Sequence, residues 1–223
     1  MTNSNSLFSG ISMTSADLLL CAQRIQALAQ AGIAYSTNKY DLDRYQQLRG
    51  LSVELLQQLT DEPYEKIIKV FASETGYQTP KVDIRAVIFN PSRQLLLTKE
   101  KGDQDRWTLP GGWADVGYSP FETAEKETLE ETGLRVRAVR LLALYDKRKH
   151  PHPPQPWYVY KAFILCAVEG GSLAEETAET AGADWFSAED LHHIDLSTDR
   201  VTGSQLELLF KFADNPALPA VCD

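Results

Sequence analysis

The stretch from Ser119 to Gly133 constrains this chain more than any other, because local rules alone delimit a helix within it. Ser119 followed by Glu122 is a capping box, Pro120 sits at the first helical position, where its missing N–H is no loss, and Gly133 stands where a left-handed stop residue belongs. A helix over 120–132 is therefore expected. On it Glu127, Glu130 and Glu131 are spaced i, i+3 and i+4, which at about 100° per residue gathers three carboxylates into one stripe. The stripe occupies the C-terminal half, where the macrodipole is negative, and like charges at these spacings cost roughly 0.2–0.5 kcal/mol per pair. Such a helix calls for a compensating cation.

A solvated acidic face accounts for Glu122 and Glu125, which lie on other sides of the helix. For the trio the sharper reading is a divalent metal site. Hard carboxylate oxygens with no neighbouring His or Cys suit Mg²⁺ or Mn²⁺ rather than zinc. Mg²⁺ keeps some of its waters and binds substrate phosphates, which points to chemistry on a phosphoanhydride.

The size of the chain, 223 residues, fits one sizeable domain or a core domain with a small appendage. With 22 Lys and Arg against 31 Asp and Glu, the net charge of −9 gives no global basic field, which weighs against duplex nucleic acid and anionic lipid as partners. The longest apolar runs, such as 162–168, fall far short of the roughly 18–20 residues of a membrane span. Residues 1–14 read as a flexible leader: Ser- and Asn-rich, without Lys or Arg, and unlike a secretory signal. Cys21, Cys166 and Cys222 are odd in number and far apart, which argues against a disulfide framework and for a cytoplasmic home.

Residues 15–77 read as helical throughout and form a first domain. A first helix has Ser15 as its cap and stops at Gly32, a second starts near Asp41, and a third opens at Pro63 and carries Ile67, Ile68 and Phe71. Three such helices make a poor core alone, so this unit is expected to form a homodimer. A helix-turn-helix reading is disfavoured because Glu65 and Glu74 dilute Lys66 and Lys69. From residue 81 the pattern changes to period two. Strands are expected over 82–89 and 94–98, joined as a hairpin across Asn90-Pro91-Ser92, and again over 136–145, 157–168, where alternation suggests that one face of 157–167 is buried, and 183–186, before a closing helix over 202–214. The second domain, 81–217, is thus α+β with a mixed sheet.

Aligned on Gly112, the segment resembles the signature of the Nudix hydrolases, G-x5-E-x7-R-E-U-x-E-E-x-G-U. Gly112, Glu127, Glu130, Glu131, Gly133 and Leu134 fall at signature positions, while Tyr118, Lys126 and Thr128 replace its first glutamate, its arginine and an aliphatic residue. The resemblance implies an α/β/α sandwich, a metal held by Glu127, Glu131 and Glu130 with the Gly111 or Gly112 carbonyl, and a water attacking phosphorus in line. Lys126 stands where the family's arginine braces the loop against the helix, which makes it a catalytic-site candidate. The resemblance implies that the general base is a signature glutamate, Glu130 first, or an acid outside the signature, with Glu175, Glu176 and Glu179 ranked below it.

Residues 74–83, 111–120 and 142–153, with the helical leader, resemble bacterial ADP-ribose and CDP-choline pyrophosphatases of this family. The implied substrate is a small nucleoside diphosphate linked to X, split to a nucleoside monophosphate and phospho-X. Within the dense cationic run Lys147-Arg148-Lys149-His150, Lys147, Lys149 and His150 are candidates to receive the phosphate or X, and Trp113 and Tyr118 to stack on the base. His192 and His193 read as surface residues. Two rival readings are a catalytically silent nucleotide sensor, which the intact glutamates oppose, and an RNA or oligonucleotide hydrolase, supported only by the cationic run.

Overall fold

The computed structural model describes residues 13–72 and 74–223. Most of the leader expected over 1–14 lies outside the described residues. Thr14, its last residue, caps the first helix by accepting the Asp17 N–H, so the cap lies one residue before the expected Ser15. The chain divides into two compact units: one runs to Thr79 and takes in Pro154–Trp157, and the other comprises Pro80–Pro153 and Tyr158–Asp223.

The first unit contains helices α1 (Ser15–Tyr35), α2 (Lys39–Leu59) and α3 (Tyr64–Ala72). Ala22, Val53, Leu56, Ile67 and Phe71 form its small core. Gly32 does not end α1, which runs on to Tyr35. A Cβ at Gly32 would lie 2.4 Å from the Tyr45 ring, so this glycine serves the close approach of α2 rather than a stop. Gln23 Nε2 donates to the carbonyls of Gln155, at 2.9 Å, and Trp157, which secures the returning segment. Ile25 of α1 and Leu48, Leu51 and Leu55 of α2, together with Glu54, Gln57 and Gln58, line a largely apolar groove of 540 Å³ in this unit.

The second unit contains β1 (Lys81–Ile88), β2 (Leu95–Glu100), β3 (Arg106–Thr108), α4 (Pro120–Thr132), β4 (Leu134–Asp146), β5 (Val159–Gly171), β6 (Thr180–Phe186), α5 (Gly203–Asp214) and β7 (Val221–Cys222). One sheet has the order β1-β5-β4-β7, with β1 parallel and β4 antiparallel to β5. The other has the order β3-β2-β6. The fold is the expected α+β sandwich with a mixed sheet. Ala124 of α4 joins Ile84, Ala86 and Ile164 on one face, while Leu206, Leu209 and Phe212 of α5 join Val87, Phe163 and Leu142 on the other.

Two expectations are corrected here. The proposed hairpin of β1 and β2 amounts to one bridge, Phe89 to Leu95, after which the strands enter different sheets. β1 is occupied by β5 on one edge and on the other by the loop carrying Gly112: Ile84 N–H donates to Gly112 O, Ala86 N–H to Pro110 O, and Ala114 N–H to Val82 O. β5, expected to bury one face only, lies between β1 and β4 and buries side chains on both faces through its middle.

Candidate active site

Helix α4 has the bounds that its caps dictate. The Ser119 side chain accepts the Glu122 N–H while Glu122 accepts the Ser119 N–H, Pro120 fills the first position, and Gly133 closes the helix at φ +77°. Thr128, at the family's aliphatic position, is fully buried, and its hydroxyl donates to Ala124 O at 2.7 Å, so the polar group is satisfied within the helix.

The loop before α4 packs against the acids of the stripe. Gly111, at φ +142°, lies so close to β1 that a Cβ there would fall 2.0 Å from Ile84 O. Its N–H donates to Glu131 Oε2 at 3.2 Å, and a Cβ at Gly112 would meet Glu127 Oε2 at 3.0 Å. The Gly112 carbonyl accepts from Ile84 N–H at 2.8 Å and retains a second lone pair.

Carboxylate oxygens of Glu127, Glu131 and Glu179 lie within 4.8 Å of one another. Glu127 and Glu131 are buried and Glu179 is exposed. Burial above all, together with the nearby carboxylates of Glu127 and Glu100, pushes the Glu131 carboxyl up to about 8 despite Arg85 and the Gly111 N–H. Three hard oxygen donors converging where a lone carboxylate resists ionisation fit a divalent cation.

The fourth acid of the region, Glu130, is exposed and bound instead to Lys126, whose Nζ lies 3.1 Å from Glu130 Oε2 and donates to Glu127 Oε1 at 3.0 Å. The same ammonium is 3.8 Å from Asp115 and 5.9 Å from the Tyr118 ring centroid. Hydrogen bonds to Glu127 and Glu130 hold its pKa above the usual lysine value. Lys126 and, at Glu131, the charge of Arg85 are thus the cations that the acidic stripe calls for. Glu176 is exposed and paired with Lys101 at 2.5 Å, and Glu175 is exposed as well.

The cationic run divides. Lys147 is buried with its Nζ 3.9 Å from Asp199; Arg148 is exposed and paired with Asp146; Lys149 is exposed; and His150 Nε2 lies 3.1 Å from Asp223 Oδ2. Trp113 and Tyr118 are each about half exposed.

Sequence reasoning missed a buried charged group on the face of the sheet opposite α4. Arg85 of β1 donates to Asp83 Oδ1 at 2.8 Å, to Asp83 Oδ2 and to Leu109 O, and Lys161 of β5 donates to the same Asp83 carboxylate. These cations hold Asp83 down at about 2, while burial lowers Lys161 to about 8. The signal was present: Arg85 interrupts the apolar run of β1, and Lys161 adjoins that of β5.

Residues 79–205 match the family model described as the NUDIX domain, and residues 16–71 match one described as "UDP-X-like, N-terminal oligomerisation domain". The first covers more than half of the chain, and the chain belongs to the Nudix hydrolases. Among its relatives is the Bacillus subtilis (strain 168) protein named "Putative ADP-ribose pyrophosphatase YjhB", 43% identical over 91% of this chain and 95% of that one. A solved structure of a UDP-X diphosphatase matches 95% of this chain and all of that one at 32% identity and a TM-score of 0.59. An ADP-ribose pyrophosphatase from Streptococcus suis 89-1591 matches 65% of this chain and all of that one, at 36% identity and a TM-score of 0.57. Among the described residues, no helix is long and apolar enough to cross a membrane.

Proposed function

We propose that this Nudix hydrolase is a Mg²⁺-dependent (or Mn²⁺-dependent) pyrophosphohydrolase. It splits the diphosphate of a nucleoside diphosphate linked to X, ADP-ribose-like or CDP-choline-like, into a nucleoside monophosphate and phospho-X. The observation that carries the reading is the convergence of Glu127, Glu131 and Glu179 beside the glycine loop. The names of the relatives, an ADP-ribose pyrophosphatase and a UDP-X diphosphatase, support the substrate class.

Glu127 and Glu131 would hold the cation, with the Gly112 carbonyl and Glu130 as further oxygen donors from the family pattern. A bound divalent cation supplies neutralisation of the diphosphate and acidification of a water. Glu179 reaches the same cluster and is exposed, which suits it to take the proton of the attacking water; Glu130, tied to Lys126, is the alternative base. Trp113 and Tyr118 offer aromatic surface to the base beside the loop, and Lys147 offers its charge to the phosphates, with Lys149 and His150 on the same turn.

The N-terminal unit joins two copies of the chain through the Leu48, Leu51 and Leu55 face, in keeping with the oligomerisation description of the matching model. Free thiols at Cys21, Cys166 and Cys222 suit a cytoplasmic setting. The division of the cationic run weighs against RNA, because only Lys147 turns inward and Arg148 and His150 are paired with acids.

The test is phosphate release, coupled to phosphatase, from ADP-ribose, CDP-choline, UDP-sugars, dinucleotides and nucleoside triphosphates with Mg²⁺ or Mn²⁺, beside Glu131→Gln. Metal-dependent turnover of one diphosphate class, lost in the variant, is the expected result. Binding of a nucleotide without any turnover would give the site to a sensor.

A further inference from the structure

Lys147 is the least satisfied cation of the buried charged group. Among the described residues, only Asp199 lies within ion-pair reach of its ammonium, at 3.9 Å, beyond hydrogen-bond length, and the lysine is 8% exposed. Arg85 and Lys161, 6% and 1% exposed, share the single carboxylate of Asp83. Arg85 is also within reach of the charges of Glu131 and Glu100, whereas Lys147 has only the half-exposed carboxylate of Asp199 as an ion-pair partner among the described residues. A buried ammonium without full partners is costly unless something anionic completes it.

The group also adjoins the carboxylate cluster. Gly111, whose N–H donates to Glu131, packs so closely on β1 that a Cβ there would lie 3.0 Å from Arg85 Cα, and the charge of Arg85 acts on both Glu131 and Lys147. Burial, and then the charge of Lys161, bring Lys147 down to about 7, with Asp199 and Asp83 working in the opposite direction. Each of these residues belongs to the second unit.

We infer that Lys147, backed by Lys161 and Arg85, is a receptor for a phosphoryl group of the substrate that works without the metal. Lys147 supplies free N–H donors, while Arg85 and Lys161, held by Asp83, supply fixed charge behind it. The inference rests on the pyrophosphohydrolase reading only for the identity of the anion. An ammonium hydrogen-bonding one phosphoryl group leaves the carboxylate cluster free to act on the diphosphate.

The experiment is calorimetric titration of the full chain with ADP and with inorganic pyrophosphate in EDTA, together with the melting temperature of each variant. Wild type is expected to bind both probes without metal. Lys147→Met weakens binding about 10- to 100-fold, and Arg148→Met, which removes the same charge from the exposed neighbour, leaves it unchanged. Removing a buried ammonium that repels Lys161 and Arg85 leaves the melting temperature of Lys147→Met at or above wild type. Lys147→Arg, which keeps the charge, recovers part of the affinity.

Equal binding by wild type and Lys147→Met overturns the inference, and so does loss of binding accompanied by a lowered melting temperature, which marks a structural lysine. Absence of turnover with every substrate, while Lys147-dependent binding in EDTA persists, defeats the hydrolase reading and leaves this one standing. Turnover with binding indifferent to Lys147 does the reverse.

Discussion

The ammonium of Lys126 stands 5.9 Å from the centroid of the Tyr118 ring while it donates to Glu127 at 3.0 Å. These two residues occupy the positions where the family pattern has an arginine and a glutamate, and here loop and helix are joined by a cation over a ring together with the longer ion pair of Lys126 with Asp115 at 3.8 Å. The ring face makes the contact, so Tyr118→Phe should retain activity within about twofold. Tyr118→Ala should lose roughly two- to fivefold, the scale of an exposed cation–π contact. Lys126→Met, which also frees Glu127 and Glu130, should lower kcat more than it raises KM. Equal losses in the Phe and Ala variants would show that the hydroxyl, not the ring, is the working group.

Among the acids, the clustering of Glu179 with Glu127 and Glu131 sets a rank order. Glu127→Gln and Glu131→Gln should each lower metal-dependent kcat by about 100-fold or more, as expected on loss of a group that holds the ion. Glu179→Gln should cost more than Glu130→Gln, because Glu130 is exposed and engaged by Lys126. Steady-state rates across a Mg²⁺ titration check this, and a larger loss at Glu130 would return the role of base to the signature itself.

The bounds of α4 were legible residue by residue because Ser119, Pro120 and Gly133 act through local geometry. The acidic stripe was legible for the same reason. Gly32 was misread as a stop because its use, room for the Tyr45 ring, exists only once α2 packs against α1. The hairpin of β1 and β2 was misread because turn chemistry fixes a reversal but not which sheet each strand joins. The meeting of Glu179 with Glu127 and Glu131 joins positions about fifty residues apart, and the Asp83, Arg85 and Lys161 group joins two strands paired in parallel. The second follows from register across the sheet and the first from the docking of α4 beside the start of β6, where the Thr180 hydroxyl donates to Glu131 O; no local pattern carries either.

The apolar face of α2 gives a prediction about assembly. Leu51 and Leu55 are 56% and 44% exposed in the isolated chain and line the groove. Because each is already about half buried, covering the rest against a second copy is worth roughly 1 kcal/mol per side chain. Leu51→Asp with Leu55→Asp should therefore convert a dimer into a monomer by light scattering after gel filtration, and raise the melting temperature or leave it unchanged when compared with wild type diluted to its monomer. A double variant that keeps twice the chain mass would move the interface elsewhere on the protein.

Asp83 predicts the acid limb of stability. Arg85 and Lys161 overcome the opposing effect of burial and hold its carboxyl at about 2 instead of the ordinary 3.8. The folded state thus favours the ionised form: the stabilisation is complete above pH 3.8 and is lost as pH falls through about 2. A shift of this size corresponds to about 2 kcal/mol. Asp83→Asn leaves Arg85 and Lys161 buried without a counter-charge and should cost about 3–5 kcal/mol near neutrality. Because the protonated aspartic acid resembles the amide, the gap between wild type and Asp83→Asn, read from urea unfolding, should narrow by about 2 kcal/mol between pH 5 and pH 2. A gap that stays constant over that range would mean that Asp83 is not the anion holding Arg85 and Lys161 in place.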